Sequence, residues 1–220
     1  MLAIQSTPKP RSHGWTLIEL LVVLVVLAVV LTAFNFGPSA RARHKAIQIN
    51  CATNLRLIGR AFHIWAADHG GKFPMEVSVT QGGTRELPGT EGWRNFQLLS
   101  NTLPTPNLFI CYGDNQHHQP ATNFGIGLKN RISYFIGLNA STNRPSAWLA
   151  GDDNFEINRV PIKSGLVELK TYTPLSWSAA RHIRMGNLLL VDGSVQFSYN
   201  TNISKQFSNT GLATNRIAVP

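Results

Sequence analysis

Charge is scarce in this chain. Only 14% of its 220 residues are Asp, Glu, Lys or Arg, against ~25% in ordinary soluble domains. Acidic residues are the rarer kind: 11 Asp+Glu face 20 Lys+Arg, a formal charge of +9. The surplus is spread along the sequence, with its densest cluster at "RARHK" (41–45). A cationic soluble surface is the plain reading, and contact with acidic lipid heads or nucleic acid the sharper one. Cysteine is nearly absent too. Cys51 and Cys111 stand alone, with no CxxC and no Cys/His pair at zinc spacing, which excludes a sequence-local zinc module. The patterns of common catalysts are missing: no GxSxG, HExxH, GxGxxG or Walker-A stretch occurs. "FGIGLKN" (124–130) lacks both P-loop spacing and a preceding strand, and His117-His118 reads as a solvated loop pair. The chain does not read as an enzyme.

What is abundant is apolar side chain near the start. From Leu20 to Leu31 every residue is apolar, preceded by Lys9 and Arg11 and followed by no A-x-A cleavage site. A secretory signal ends in such a site, so the segment is expected to stay as an anchor. Trp15 to Phe36 would make about 33 Å of helix, enough to span a bilayer. The positive leader argues for a cytoplasmic N-terminus, and "RARHK" beyond the run opposes it. Glu19 sits at the lip of this helix, where a carboxylate is costly unless a partner neutralises it. No basic side chain lies within one turn of it.

"GWTLIELLVV" (14–23) resembles the processing site of type IV prepilins and type II secretion pseudopilins. The resemblance implies that a membrane prepilin peptidase cuts between Gly14 and Trp15, and that the new α-amino group is N-methylated. Glu19 then becomes the fifth residue of the mature chain and pairs with the amino terminus of a neighbouring subunit as the filament grows. Partners implied are the peptidase, other (pseudo)pilin subunits and an inner-membrane assembly platform, with the head on the far side of the membrane. Trp15 stands where the family usually has Phe, and His13 where it commonly has Lys or Arg.

Gly37-Pro38 interrupts the helix. Beyond it Ile47, Cys51, Leu55, Ile58, Phe62 and Trp65 recur at helical intervals, and "DHGG" (68–71) supplies the stop. "WRNFQLLSNTL" (93–103) suits a short helix. β-prone runs follow at 107–111, 132–138, 146–151, 166–172, 186–191 and 194–199, the last two joined by a type I′ turn at Asp192-Gly193. The expected class is α+β: a pilin-like long N-terminal transmembrane helix packed on an antiparallel β-sheet head. Its parts are a leader (1–14), a transmembrane helix (15–36), an amphipathic continuation (37–69), a β-rich head (70–199) and a loose polar tail (200–220).

A second resemblance lies in the head. "RHIRMGNLLLVDGSV" (181–195) is similar to the H-x9-DG signature of a family of prepilin-like proteins, carried here by His182, Asp192 and Gly193. "NCATNLRLIGRAFHIWAADHGGKFP" (50–74) and, in part, "FICYGD" (109–114) agree with it. His182 is expected either to brace a loop of the sheet or to help hold a cation. "GDDNFE" (151–156) offers Asp152, Asp153, Asn154 and Glu156 as oxygen ligands for Ca2+, an ion known in the heads of major pseudopilins. If the head lies outside the cytoplasm, a Cys51–Cys111 disulfide would add ~2–4 kcal/mol; two separately buried thiols are the alternative. The rival functions are a minor pilin whose cationic head binds DNA or an anionic polymer, and an uncleaved membrane-anchored binding domain.

Overall fold

The computed structural model describes residues 14–35, 40–114 and 119–220, without the side chains of 33–35 and 40–41. Residues Met1–Arg41 and Ala42–Pro220 form two units. In the first, helix α1 runs Leu17–Asn35, and its apolar side chains from Leu20 to Leu31 are exposed. No helix among the described residues is long and apolar enough to cross a membrane. The expected span over 15–36 therefore starts two residues ahead of α1 and ends at Phe36, outside the described residues. Gly37-Pro38, the leader as far as His13 and His117-His118 also lie outside them.

The second unit is built on helix α2 (Ala40–Asp68). Its expected stripe faces inward: Cys51, Leu55, Ile58 and Phe62 are fully buried and Trp65 nearly so. The helix stops where "DHGG" predicts, with Gly70 and Gly71 at positive φ and the Gly71 amide donating to the Ala66 carbonyl at 2.8 Å. That six-to-one closure needs a residue without a Cβ. Helix α3 (Trp93–Gln97) and short 3-10 turns lead to the sheet strands. "NLFIC" was expected as a strand. Pro106 and the Thr105 side chain, which accepts from the Asn107 amide, instead start a 3-10 turn over Pro106–Phe109.

The main sheet is antiparallel throughout. Its strands are β1 (Tyr134–Gly137), β2 (Trp148–Asp152), β5 (Gly165–Lys170), β7 (Met185–Leu190), β8 (Val195–Tyr199) and β9 (Thr214–Val219), in the order β5-β9-β1-β2-β7-β8. A smaller sheet, β4-β3-β6, joins β3 (Phe155–Ile157), β4 (Val160–Pro161) and β6 (Leu175–Trp177). Two-residue periodicity splits the side chains of the main sheet between two cores. Ile136, Leu149, Leu189 and Ala218 pack with the α2 stripe. Their neighbours Phe135, Trp148, Leu188, Leu190 and Ile217 pack with Phe155, Trp177 and Phe207 on the other face. At Gly59 α2 packs close against β7, since a Cβ there would lie 2.8 Å from a Leu189 methyl.

Two expectations are corrected. Residues 200–220 are not a loose tail: helix α4 (Ile203–Ser208) buries Ile203 and Phe207, and β9 lies between β5 and β1 inside the sheet. The β7–β8 turn is also not type I′. It is a three-residue turn in which Gly193 has φ +83 and Asp192 does not have positive φ. Asp192 Oδ1 instead accepts from the Ser194 amide at 2.8 Å, a side-chain turn device that works with ordinary backbone angles.

Candidate functional site

Two places carry chemistry. The first is the start of α1. Gly14 and Trp15 are exposed and outside regular structure. Thr16 and Glu19 then form a capping box. The Thr16 amide and hydroxyl both donate to Glu19 Oε2 at 2.8 Å, and the Glu19 amide donates to Thr16 Oγ1 at 3.3 Å. Glu19 thus has a local partner that a search for basic residues misses. The signal was in the sequence as T-x-x-E.

The second place is buried. It gathers Cys51 from α2, Cys111 from the loop after the 3-10 turn, Asp152 from the end of β2 and His182 from the turn before β7. Their ligating atoms all lie within 4.8 Å of one another. Cys51 Sγ is 2.8 Å from Cys111 Sγ, and both cysteines are free. His182 Nε2 lies 3.2 Å from Cys111 Sγ and 3.5 Å from Asp152 Oδ2. Burial opposes protonation of His182, but the hydrogen bonds to Asp152 and Cys111 outweigh it and raise its pKa to about 10. The Cys111 thiol is pushed up, by its contact with Cys51 first and by burial second. Burial likewise raises the fully buried Tyr134 phenol beside them.

The supports around this cluster are as informative as its members. Asn187, fully buried on β7, donates to Asp152 Oδ2 from its amide (2.7 Å) and its side chain (2.8 Å). Arg181 stands between Asp114 (2.6 Å) and Asp153 (2.5 Å) and donates to the Ser133 carbonyl. Burial works against the Arg181 charge, and the two carboxylates more than restore it. His182, Ile183 and Arg184 all have positive φ, at 22, 51 and 58. Three consecutive L-residues in that region cost on the order of 1–3 kcal/mol each, a strain typical of functional sites. Here it turns both Arg181 and His182 inward from adjacent positions.

The residues singled out from sequence are redistributed. Cys51, Cys111, His182 and Asp152 come together. Asp192 and Gly193 do not join them, since strand β7 separates that turn from His182. The Ca2+ set is divided: Asp152 faces the cysteines, Asp153 pairs with Arg181, Asn154 donates to the Met185 carbonyl, and Glu156 accepts from Ser176. Successive residues of an extended chain point to opposite sides, which separates Asp152 from Asp153. Arg181, Asn187, Tyr134 and Asp114 were not singled out, because isolated residues of these types carry no spacing signal. A cleft of about 550 Å³ lined by Asp114, Asp153, Glu156 and Arg181 adjoins the cluster, but its one guanidinium is already paired with carboxylates.

A family model for the prokaryotic N-terminal methylation motif matches residues 9–34, a motif typical of type IV pilins and pseudopilins. No curated protein and no solved structure matches the chain.

Proposed function

We propose that this chain is a type IV pilin-like subunit, cleaved after Gly14, methylated on the α-amino group of Trp15, and assembled into a pilus-like or type II secretion-like filament. The observation that carries the reading is the methylation motif over residues 9–34. The geometry supports it. The Gly14–Trp15 bond lies in exposed, irregular chain immediately ahead of α1, the form a peptidase substrate needs. An apolar helix with its side chains exposed needs lipid or other helices around it. In this reading the segment 15–36 anchors the subunit in the inner membrane with its N-terminus cytoplasmic, and the Ala42–Pro220 unit faces the periplasm or exterior. The head acts by packing and binding, not by catalysis.

Glu19 then has two roles. Both capping bonds go to Oε2, which leaves Oε1 for the methylated amino terminus of a neighbouring chain. Cleavage preserves the cap, because Thr16 keeps its amide and hydroxyl. The test is N-terminal sequencing and intact mass of the membrane-extracted chain with and without prepilin peptidase, together with Glu19→Gln. A mature chain beginning at methylated Trp15 is expected. Glu19→Gln retains a cap acceptor but not the charge, so it should be processed normally yet fail to enter sedimentable filaments. A chain still starting at Met1 under active peptidase refutes the reading, and assembly of Glu19→Gln at the native level refutes the charge pair.

A further inference from the structure

The buried cluster has two chemically distinct uses, a covalent one and a metal-binding one, and they make opposite demands on the two sulfurs. We infer that Cys51 and Cys111 form a structural disulfide that fastens α2 to the loop ahead of β1, with the His182–Asp152 ion pair and Asn187 closing the space beside it. The inference takes from the proposed function only the oxidising compartment.

Distance separates the two uses. The sulfurs stand 2.8 Å apart, inside the ~3.5–4.0 Å of ordinary non-bonded contact. Bond formation needs them to approach ~2.05 Å, a closure of about 0.75 Å. A tetrahedral zinc with ~2.3 Å bonds to sulfur holds two thiolates about 3.8 Å apart, so binding it would force a tightly packed site open by about 1 Å. Cys51 comes from the buried face of α2 and Cys111 from a loop pinned on both sides. The Asp114 amide donates to the Cys111 carbonyl, and the Ser133 amide to the Phe109 carbonyl.

Charge and the surrounding hydrogen bonds point the same way. Asp114, Asp152 and Asp153 already place three carboxylates in this interior, against Arg181 and a protonated His182. A disulfide adds no charge to this interior and leaves His182 to Asp152, whereas a zinc dithiolate, neutral only through the ion's own two charges, would take the His182 ring in its neutral form away from Asp152. With the sulfurs joined, His182 remains free to serve Asp152 as its cation, the role its distance and raised pKa fit.

Both cysteines are fully buried in the folded chain, so the bond forms as the head folds, while the thiols are still reachable. Each thiol gives up its hydrogen, the two sulfurs join, and an oxidised dithiol protein of the compartment is reduced to its own two thiols. The bond closes a loop between residues 51 and 111.

The experiment uses the full chain, exported and then extracted in detergent with a thiol-alkylating reagent under denaturing conditions. Expected are no alkylated cysteine before reduction, two after it, and one proteolytic fragment pair joining Cys51 to Cys111. Reduction, or Cys51→Ala, should lower Tm by about 10 °C. Two alkylated cysteines in the unreduced chain overturn the inference. If stoichiometric zinc accompanies them, the cluster is a metal site instead. A joined pair whose reduction leaves Tm unchanged overturns the clamp. N-terminal processing is measured on the same sample, so a chain that is cleaved but not cross-linked, or the reverse, shows which of the two readings has failed.

Discussion

His182 should make the stability of the head depend on pH in the alkaline range. Its pKa rises from 6.5 to about 10 in the folded chain. A group whose folded pKa is raised contributes stability that is complete below its unfolded pKa and disappears as pH climbs through the folded value. The window therefore runs from about pH 6.5 to about pH 10. With ~1.4 kcal/mol per pKa unit, the linkage amounts to about 4 kcal/mol at pH 7, about 1 at pH 9 and well under 1 at pH 10. Side-chain exposure is nil for both His182 and Asp152, so solvent screening takes little away. The groups facing His182 are Asp152, whose Oδ2 accepts from its Nε2, and the Cys111 sulfur.

The assay is denaturant unfolding of the full chain in detergent at pH 7, 8, 9 and 10, wild type against His182→Gln. The raised phenol pKa of Tyr134 also costs stability at high pH, because the unfolded chain loses that proton first. The two proteins share that cost, so the difference between them isolates His182. Wild type should lead by several kcal/mol at pH 7, and the gap should shrink to about 1 kcal/mol or less by pH 10. A gap that stays constant across the range would mean that His182 acts by packing and not by charge, and would refute the ion-pair account.

One substitution and one deletion probe the frame around the cluster. Gly186→Ala puts a Cβ 2.2–2.5 Å from the Trp177 ring, so overpacking should cost about 1–3 kcal/mol; near-UV circular dichroism should show a perturbed tryptophan, and an unchanged spectrum and Tm would disprove the contact. Deleting residues 201–220 removes a strand from inside the sheet and should abolish cooperative unfolding of the head; a truncated chain that still melts sharply would mean that β9 is dispensable.

The helices were readable because burial follows their period. From Ile47 to Trp65 the apolar positions recur every three or four residues, and the fold places that face inward. Strands β1, β2, β5, β7 and β8 were readable as short apolar runs bounded by turn residues, although alternation was weak because the sheet is buried on both faces. β9 was not, since Asn215 and Arg216 break up "TNRIAV" and only pairing with β1 and β5 makes it a strand. β3, β4 and β6 are only two or three residues long, and the Asn158-Arg159 link takes φ of 54 and 65 without any glycine to announce it. The cluster was legible only in halves, as a Cys51–Cys111 pair and as His182 with the acidic run holding Asp152. Its four members come from four segments, and only the fold makes them neighbours. The carboxylate pattern at 151–156 was legible as acid, but which partner each neighbouring residue takes is decided by the fold.

The interval between His182 and Asp192 has a geometric meaning that does not require the two to act together. His182 sits at the entrance to β7, held inward by its left-handed backbone, and Asp192 and Gly193 form the turn that sends the chain back as β8. Along the strand from Gly186 to Leu190, odd-numbered side chains face the α2 side and even-numbered ones face the opposite core. Asn187 reaches Asp152 and the Gln48 carbonyl on α2, and Leu189 meets Gly59. Gly186 meets Trp177, while Leu188 and Leu190 join the second core. Adding or removing one residue would exchange those faces, moving Asn187 away from Asp152 and a leucine into its place. The spacing is thus set by the parity and length of one strand, whose two ends carry unrelated tasks. His182 acts through charge at the buried cluster, and Asp192 acts through the Ser194 amide at the surface.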